Sequence, residues 1–210
     1  MPALLHIHAS PRGEESYSLR VAKALLKEYS QAHPSDTVRT LDLFAESVPE
    51  FGREVARGKY KILHGREQTE EEQRAWQAVT ETIADFTSAD RVLVSSPMWN
   101  FSIPYRLKQY IDVIVQPTLT FSFSPETGYT GLVTGRPAAL ILARGGEYVP
   151  GTGAAVLDQQ RPYLEAILRF IGFADITTIV VEPTLLRGPD VAQQKLDEAT
   201  AKARDVGRSF

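Results

Sequence analysis

The sequence contains no cysteine, which excludes disulfides, thiolate metal sites and cysteine nucleophiles but assigns no compartment. It also lacks any run approaching ~18 apolar residues, so nothing in it reads as a membrane span. Its first residues, Met1-Pro2-Ala3-Leu4-Leu5-His6, carry neither the basic region nor the apolar run of a signal peptide, and a soluble cytoplasmic protein is expected. A large charge excess is missing too. The formal net charge of −3 leaves no basic footprint for nucleic acid or an anionic membrane. There is no Ser/Gly-rich linker and no shift in composition, and 210 residues with 43% hydrophobic content suffice for one well-buried α/β domain over residues 1–210. Histidines are few, four in all. His6 and His8 share one side of a first strand by its period of two, but a metal site needs three or four ligands and no carboxylate cluster completes one, so no metal is expected. His33 and His64 read as surface residues.

What is present is a regular alternation of strand-like and helix-like segments. Strands are expected at Ala3–His8, Thr37–Leu43, Val92–Val94, Pro137–Ala143 and Ile176–Glu182, with Ser95, Ser96 and Pro97 breaking the third. Helices are expected from Ser16 to Ala32, from the acidic start Thr69-Glu70-Glu71-Glu72 with a core stripe of Trp76, Val79, Ile83 and Phe86, and from Pro104 with Leu107, Ile111 and Ile114 on one face. Two more run from Leu157 to Phe170, ended by Gly172, and from Asp190 to Arg208. Phe44–Gln68, punctuated by Pro49, Gly52, Gly58 and Gly65, reads as a long excursion with one short helix near Phe51–Arg57, and its residues fix no role. Five strand-helix alternations argue for one doubly wound parallel sheet of five strands, order 2-1-3-4-5, with helices on both faces.

In such a sheet ligands bind beyond the carboxyl ends of the strands, and three crossings there carry suggestive residues. In the first, Ser10, Ser16 and Ser18 with Gly13 surround a helix start; this is either an ordinary serine cap or a cradle for one phosphate. In the second, Pro97 has no donor and Met98–Ser102 leave several amides without a strand partner. Beside Trp99 and the carboxamide of Asn100, such amides suit a planar heteroaromatic ligand, although strand-turn-helix units of this kind also occur without any ligand. In the third, Arg144-Gly145-Gly146 follows the fourth strand, and its glycines permit close approach to a ligand edge. Thr118–Gly135 alternates apolar and polar residues around Pro125-Glu126-Thr127-Gly128 and reads as an extended loop or hairpin crossing the open end of the sheet. Phe121, Phe123 and Tyr129 on it either wall a pocket for a flat substrate or form a satellite cluster that pins the loop.

Pro97-Met98-Trp99-Asn100-Phe101, followed by Ile103-Pro104, Leu107-Lys108 and Tyr110-Ile111-Asp112, resembles the signature of the FMN-dependent NADH azoreductases, also called NADH:quinone oxidoreductases, a flavodoxin-like family. Thr120-Phe121, Gly131-Leu132-Val133-Thr134-Gly135 and Arg144-Gly145-Gly146 follow in similar order and spacing, so the likeness covers nearly the whole chain. Trp99 stands where the family usually has Tyr, and Tyr17 departs from the polar residue often found between Ser16 and Ser18.

The resemblance implies a tightly bound, non-covalent FMN, with Ser10, Ser16, Tyr17 and Ser18 at its phosphate. Pro97, Met98, Trp99, Asn100 and Phe101 with Ala143, Arg144, Gly145 and Gly146 would lie at its ring. Ala143 replaces a residue that is often a hydroxyl in the family. The resemblance also implies NADH as donor, quinones or aromatic azo compounds as acceptors, Phe121 and Phe123 in the substrate pocket, and a homodimer. Tyr105 and Tyr110, exposed beside the mouth, with Tyr163, Ile167 and Phe170, would supply that dimer's apolar surface. No protein nucleophile is needed, because the flavin carries the chemistry. The absence of a Gly-x-Gly-x-x-Gly loop disfavours a pyrophosphate-bridged dinucleotide held in Rossmann fashion. A flavodoxin-type electron carrier is the rival, disfavoured by the mild charge and the aromatic loop. A hydrolase on the same fold would need a Gly-x-Ser-x-Gly elbow that the chain lacks.

Overall fold

Strand β1, Ala3–His8, is flanked on both sides by β2, Thr37–Asp42, and β3, Arg91–Pro97, and every pairing among them is parallel. The computed structural model describes residues 1–210. Continuous apolar runs such as Val92–Val94 suit strands buried on both faces, as parallel sheets require. With β6, Pro137–Ala143, and β7, Asp175–Val181, they form a five-stranded sheet in the order β2-β1-β3-β6-β7. The two skipped numbers belong to a separate antiparallel hairpin, β4 (Phe121–Ser124) and β5 (Gly128–Gly131). Counted without the hairpin, the order is the expected 2-1-3-4-5.

Alternation along each strand divides the core. Leu4, Leu93, Ala139, Ile141 and Ile179 face α1, Tyr17–Ala32, and α6, Gly188–Ser209, where Val21, Leu25, Leu196 and Ala203 cover them. Leu5, Ile7, Val94 and Leu140 face α3, Glu70–Ser88, α4, Tyr105–Ile114, and α5, Arg161–Ile171, through Val79, Ile83, Phe86, Leu107 and Leu164. Thr69 caps α3 in a reciprocal box with Glu72, which satisfies two otherwise orphaned donors. Trp76 lies half-buried against this second core.

Several boundaries differ from the sequence reading, each for a tertiary reason. Strand β3 continues through Ser95, Ser96 and Pro97, because it lies between β1 and β6 and the buried Ser95 hydroxyl finds histidine partners. Helix α2, Arg53–Leu63, is longer than the expected turn of helix. Gly58 does not break it: a Cβ there would stand 2.8 Å from Gln68 Nε2 and 3.1 Å from the Glu72 carbonyl, so the glycine permits α2 to close on α3. Helix α5 begins later than expected, at Arg161 after a 3₁₀ turn over Ala155–Leu157, and ends at Gly172 with φ of 122°. His33 is half-buried beside Tyr29, ring centroids 4.8 Å apart, rather than on the surface.

Candidate functional site

Strands β1, β3 and β6 end side by side, and the three loops expected to carry chemistry leave from those ends. In the first, Gly13 with φ of 52° curls the chain into a 3₁₀ turn, and Ser16 then adopts an extended conformation as the N-cap of α1. The Leu19 amide donates to Ser16 Oγ at 3.4 Å, Ser16 Oγ and Ser18 Oγ lie 3.1 Å apart, and Ser10 Oγ accepts from the Arg12 amide. Ser16 is therefore a cap in fact. The first amides of α1, including Tyr17 and Ser18, have no intrahelical acceptor, and together with the helix dipole and three buried serines they form a concentration of donors suited to one phosphate.

The second loop holds fewer free amides than its sequence suggests. Met98 donates to the Ala143 carbonyl at 2.8 Å, and Trp99 and Ser102 exchange two bonds of 2.9 Å each. Of Met98–Ser102, only Asn100 and Phe101 keep amides without a main-chain acceptor. Both have left-handed backbone, φ 47° and 69°, the geometry of a two-residue hairpin turn. Asn tolerates that region; a bulky aromatic does so only under strain held by its surroundings. The Phe101 carbonyl is tied down by the Gln159 amide at 2.9 Å.

In the third loop the Arg144 side chain is a structural anchor. Its amide donates to Val181, its carbonyl accepts from Thr184, and its buried guanidinium turns inward to Asp158 at 2.9 Å, Glu182 at 3.3 Å and Gln160 at 3.1 Å. The Asp158 contact is a charge contact rather than an aligned hydrogen bond. A buried cation needs such partners, and three converge from outside its own strand. Ala143 is likewise committed, with its methyl in the α1/α6 core. Gly145 and Gly146, by contrast, have amides that make no main-chain bond. A Cβ on Gly145 would stand 2.9 Å from Leu185 Cδ1, and one on Gly146 3.2 Å from Tyr148 Oη, so the loop is tight as well as bare.

Beside the second loop lies an open groove of about 730 Å³, walled by Trp99, Asn100, Ile103 and Tyr105 on one side and by Glu50, Phe51 and Gly52 of the excursion on the other. Trp99 packs against Phe44, centroids 5.8 Å apart, and Tyr105 at 6.3 Å. Arg106 Nε and Nη2 donate to the Leu43 and Glu46 carbonyls, and Gln109 donates to those of Val48 and Pro49, so α4 fastens the excursion in place. The sequence reading assigned nothing to Phe44, Phe51, Arg106 or Gln109. Arg106 and Gln109 show one local signal, polar residues on an otherwise apolar helix face; Phe44 and Phe51 show none.

One expectation fails here. Tyr110 is buried against Phe86 rather than exposed, and burial raises its phenol pKa above the ordinary range; only Tyr105, 65% exposed, stands at the mouth. Phe121 and Phe123 do not wall the groove of their own chain. The hairpin follows α4 and must deliver β6 at its amino end, so it sits by the last turn of α5. There Val133 donates to Ile171, and Phe121 packs on Phe170 at 4.8 Å. Phe123 and Tyr129 project outward, 61% and 66% exposed.

His6 and His8 lie side by side on the α1 face, but they meet hydroxyls rather than further ligands: His6 bonds Thr40 and Ser95, and His8 bonds Ser95. Burial, aided by His8, lowers the His6 pKa to about 3; burial is also the main influence lowering that of His8.

An open parallel sheet whose carboxyl edge gathers a helix start, a strained turn and a glycine pair defines a protein of flavodoxin-like architecture. The sequence profile of the family described as having a flavodoxin-like fold matches residues 2–206. An FMN-dependent NADH:quinone oxidoreductase of Nitratidesulfovibrio vulgaris is 50% identical over 210 residues, covering 100% of both chains. The crystal structure of an azoreductase from Bacillus anthracis superposes with a TM-score of 0.92 at 33% identity, covering 100% of both chains. A second Bacillus anthracis structure, an FMN-dependent NADH-azoreductase in complex with FMN, gives 0.88 at 30% identity over 99% of this chain and 100% of that one. The chain belongs to the flavodoxin-like family, in the branch of the FMN-dependent NADH:quinone oxidoreductases and azoreductases.

Proposed function

We propose that this protein is an FMN-dependent NADH:quinone oxidoreductase that also reduces aromatic azo compounds, taking two electrons from NADH and passing them to the acceptor in a ping-pong cycle. FMN, when bound, supplies the hydride chemistry. The observation that carries this reading is the pair of free amides at Asn100 and Phe101, at the end of the strand next to the one that delivers the free amides of Gly145 and Gly146. Four unpaired donors at neighbouring strand ends match the carbonyls and ring nitrogens along a flavin's edge. Ser10, Ser16, Tyr17 and Ser18 hold the single phosphate, which favours FMN over FAD because no second glycine pattern is present for a pyrophosphate. Pro97 and Met98 shape the strand end on which the ring rests.

The groove beside Trp99 and Tyr105 supports an enzyme with its own small-molecule substrate rather than a carrier that only docks redox partners. We further read the active form as a homodimer in which each hairpin, with Phe121, Phe123 and Tyr129, leaves its own chain to close the other copy's groove. The outward projection of Phe123 and Tyr129 supports this, as does their distance along the fold from their own groove. No helix is long and apolar enough to cross a membrane, and we place residues 1–210 in the cytoplasm as one FMN-binding domain.

The test is direct. The purified protein should be yellow, release FMN on heating, and oxidise NADH with a benzoquinone as sole acceptor. A colourless protein that neither takes up FMN nor oxidises NADH after its addition would refute the reading.

A further inference from the structure

Beneath the first loop, four side chains form a line of hydrogen bonds on the α1 face of the sheet. Thr40 Oγ1 lies 3.3 Å from His6 Nδ1, His6 Nε2 lies 2.8 Å from Ser95 Oγ, and Ser95 Oγ lies 3.2 Å from His8 Nδ1. The line then stops. His8 Nε2 is fully buried and meets no partner in full hydrogen-bond geometry, on a residue only 2% exposed. A buried polar nitrogen without a partner is costly, and native interiors keep few of them.

The chemistry of the line restricts what that nitrogen can be. Ser95 has one hydroxyl proton, so it donates to one ring and accepts from the other. Both imidazoles are held neutral by burial, so each carries one N–H. The line therefore has two coherent polarities. In one, Thr40 donates to His6, His6 to Ser95 and Ser95 to His8, which leaves an N–H at His8 Nε2. In the other every bond is reversed, which leaves a lone pair there. An acceptor arriving at the open end selects the first polarity.

Position identifies the acceptor. His8 is the last residue of β1, two before Ser10, and shares its face with Leu4, under α1. The groups that act on its ring are Asp42 at the end of β2, Glu14 in the 3₁₀ turn, Lys23 on α1, the Ser10 main chain and, from its own strand, His6. These are the elements that frame the serine cradle; the Ser10 main chain comes near enough to favour a proton on the ring, yet no group meets Nε2 with full hydrogen-bond geometry.

We propose that His8 Nε2–H is a further ligand of the FMN phosphate, donating to it from beneath the loop while Ser16, Ser18 and the first amides of α1 donate from the helix side. Ser95, His6 and Thr40 are then positioning residues that set the proton on the correct nitrogen. This rests on the FMN reading above.

Riboflavin, which has the same ring and no phosphate, separates the two ideas. Apo-protein is titrated with FMN and with riboflavin by quenching of flavin fluorescence, for the parent, His8→Leu and His8→Gln. His8→Leu should weaken FMN at least tenfold and leave riboflavin within twofold of the parent. His8→Gln, whose amide donor reaches about as far as Nε2, should recover most of the loss. Equal weakening of both flavins, or no change in the ratio of the two, would overturn the proposal and leave the FMN reading intact. A parent that binds neither flavin would overturn both. Should the His8 variants fail to fold, the ¹⁵N spectrum of the parent decides. The His8 Nε2 resonance should be that of a protonated nitrogen, shifted by FMN and unmoved by riboflavin, and an unprotonated Nε2 in the FMN complex sinks the proposal.

Discussion

Trp99 and Ser102 bond to each other twice, amide to carbonyl in both directions at 2.9 Å, and the two residues they enclose are thereby forced into left-handed backbone. This pair decides how Asn100 can be tested. Asn100→Ala places an ordinary residue in a left-handed conformation and should lose roughly 1–2 kcal/mol of stability from the backbone alone. Asn100→Gly keeps the turn and removes only the carboxamide. It should melt within about a degree of the parent yet bind FMN more weakly by about 1–2 kcal/mol, the scale of a lost hydrogen bond. Unchanged FMN affinity in Asn100→Gly would reduce Asn100 to a turn former.

The buried His6 makes stability depend on pH. Its folded pKa of about 3 lies below the unfolded value of 6.5, so between these two the unfolded chain holds the extra proton. Its contribution is fully present above pH 6.5 and is lost as pH falls toward 3, at about 1.4 kcal/mol per pH unit over the middle of that window. Urea midpoints at pH 7, 6, 5 and 4 should fall steadily in the parent and less steeply in His6→Phe. Parallel slopes would show that other groups govern the acid limb.

Arg144 holds the glycine loop to β7 through Glu182 and to the segment before α5 through Asp158. Arg144→Ala leaves both carboxylates without their cation in a largely buried site, and roughly 3–5 kcal/mol of stability should be lost. The melting temperature would fall by about 10 °C for a chain of this size. FMN affinity should fall in the same variant, because Gly145 and Gly146 lose their anchor. A melting curve within about 2 °C of the parent contradicts this account.

Gly131 is where the hairpin meets α5. A Cβ there would stand 2.3 Å from the Gly172 nitrogen and 2.4 Å from the Ile171 carbonyl carbon, both main-chain atoms that cannot rotate away. Gly131→Ala should cost about 1–3 kcal/mol and displace the hairpin. If the hairpin closes a neighbouring copy's groove, this variant and Phe123→Ser should both lower quinone turnover and weaken the dimer in sedimentation, with FMN content unchanged. Full turnover by a monomer at nanomolar concentration would remove the hairpin from the active site.

The succession of strands and helices, the cap at Ser16, the stop at Gly172 and the cluster of serines around one helix start were legible in the sequence. Each depends on residues within a few positions of one another: periodicity of side chains, a hydroxyl within reach of the next turn, a glycine free to take positive φ. What is free to act on a ligand was decided elsewhere. Three of the five amides in Met98–Ser102 are spent, one of them on Ala143, 45 residues away in the chain. Arg144 is turned inward by Asp158, Gln160 and Glu182, and Tyr110 is buried by Phe86. The excursion became a groove wall only because Arg106 and Gln109 reach back to it. The sequence by itself determined which donors, rings and hydroxyls the chain possesses and the local structure that carries them. Only the tertiary structure decided which of them remain unpaired, because a polar group is left open or satisfied by whatever distant part of the chain folds against it.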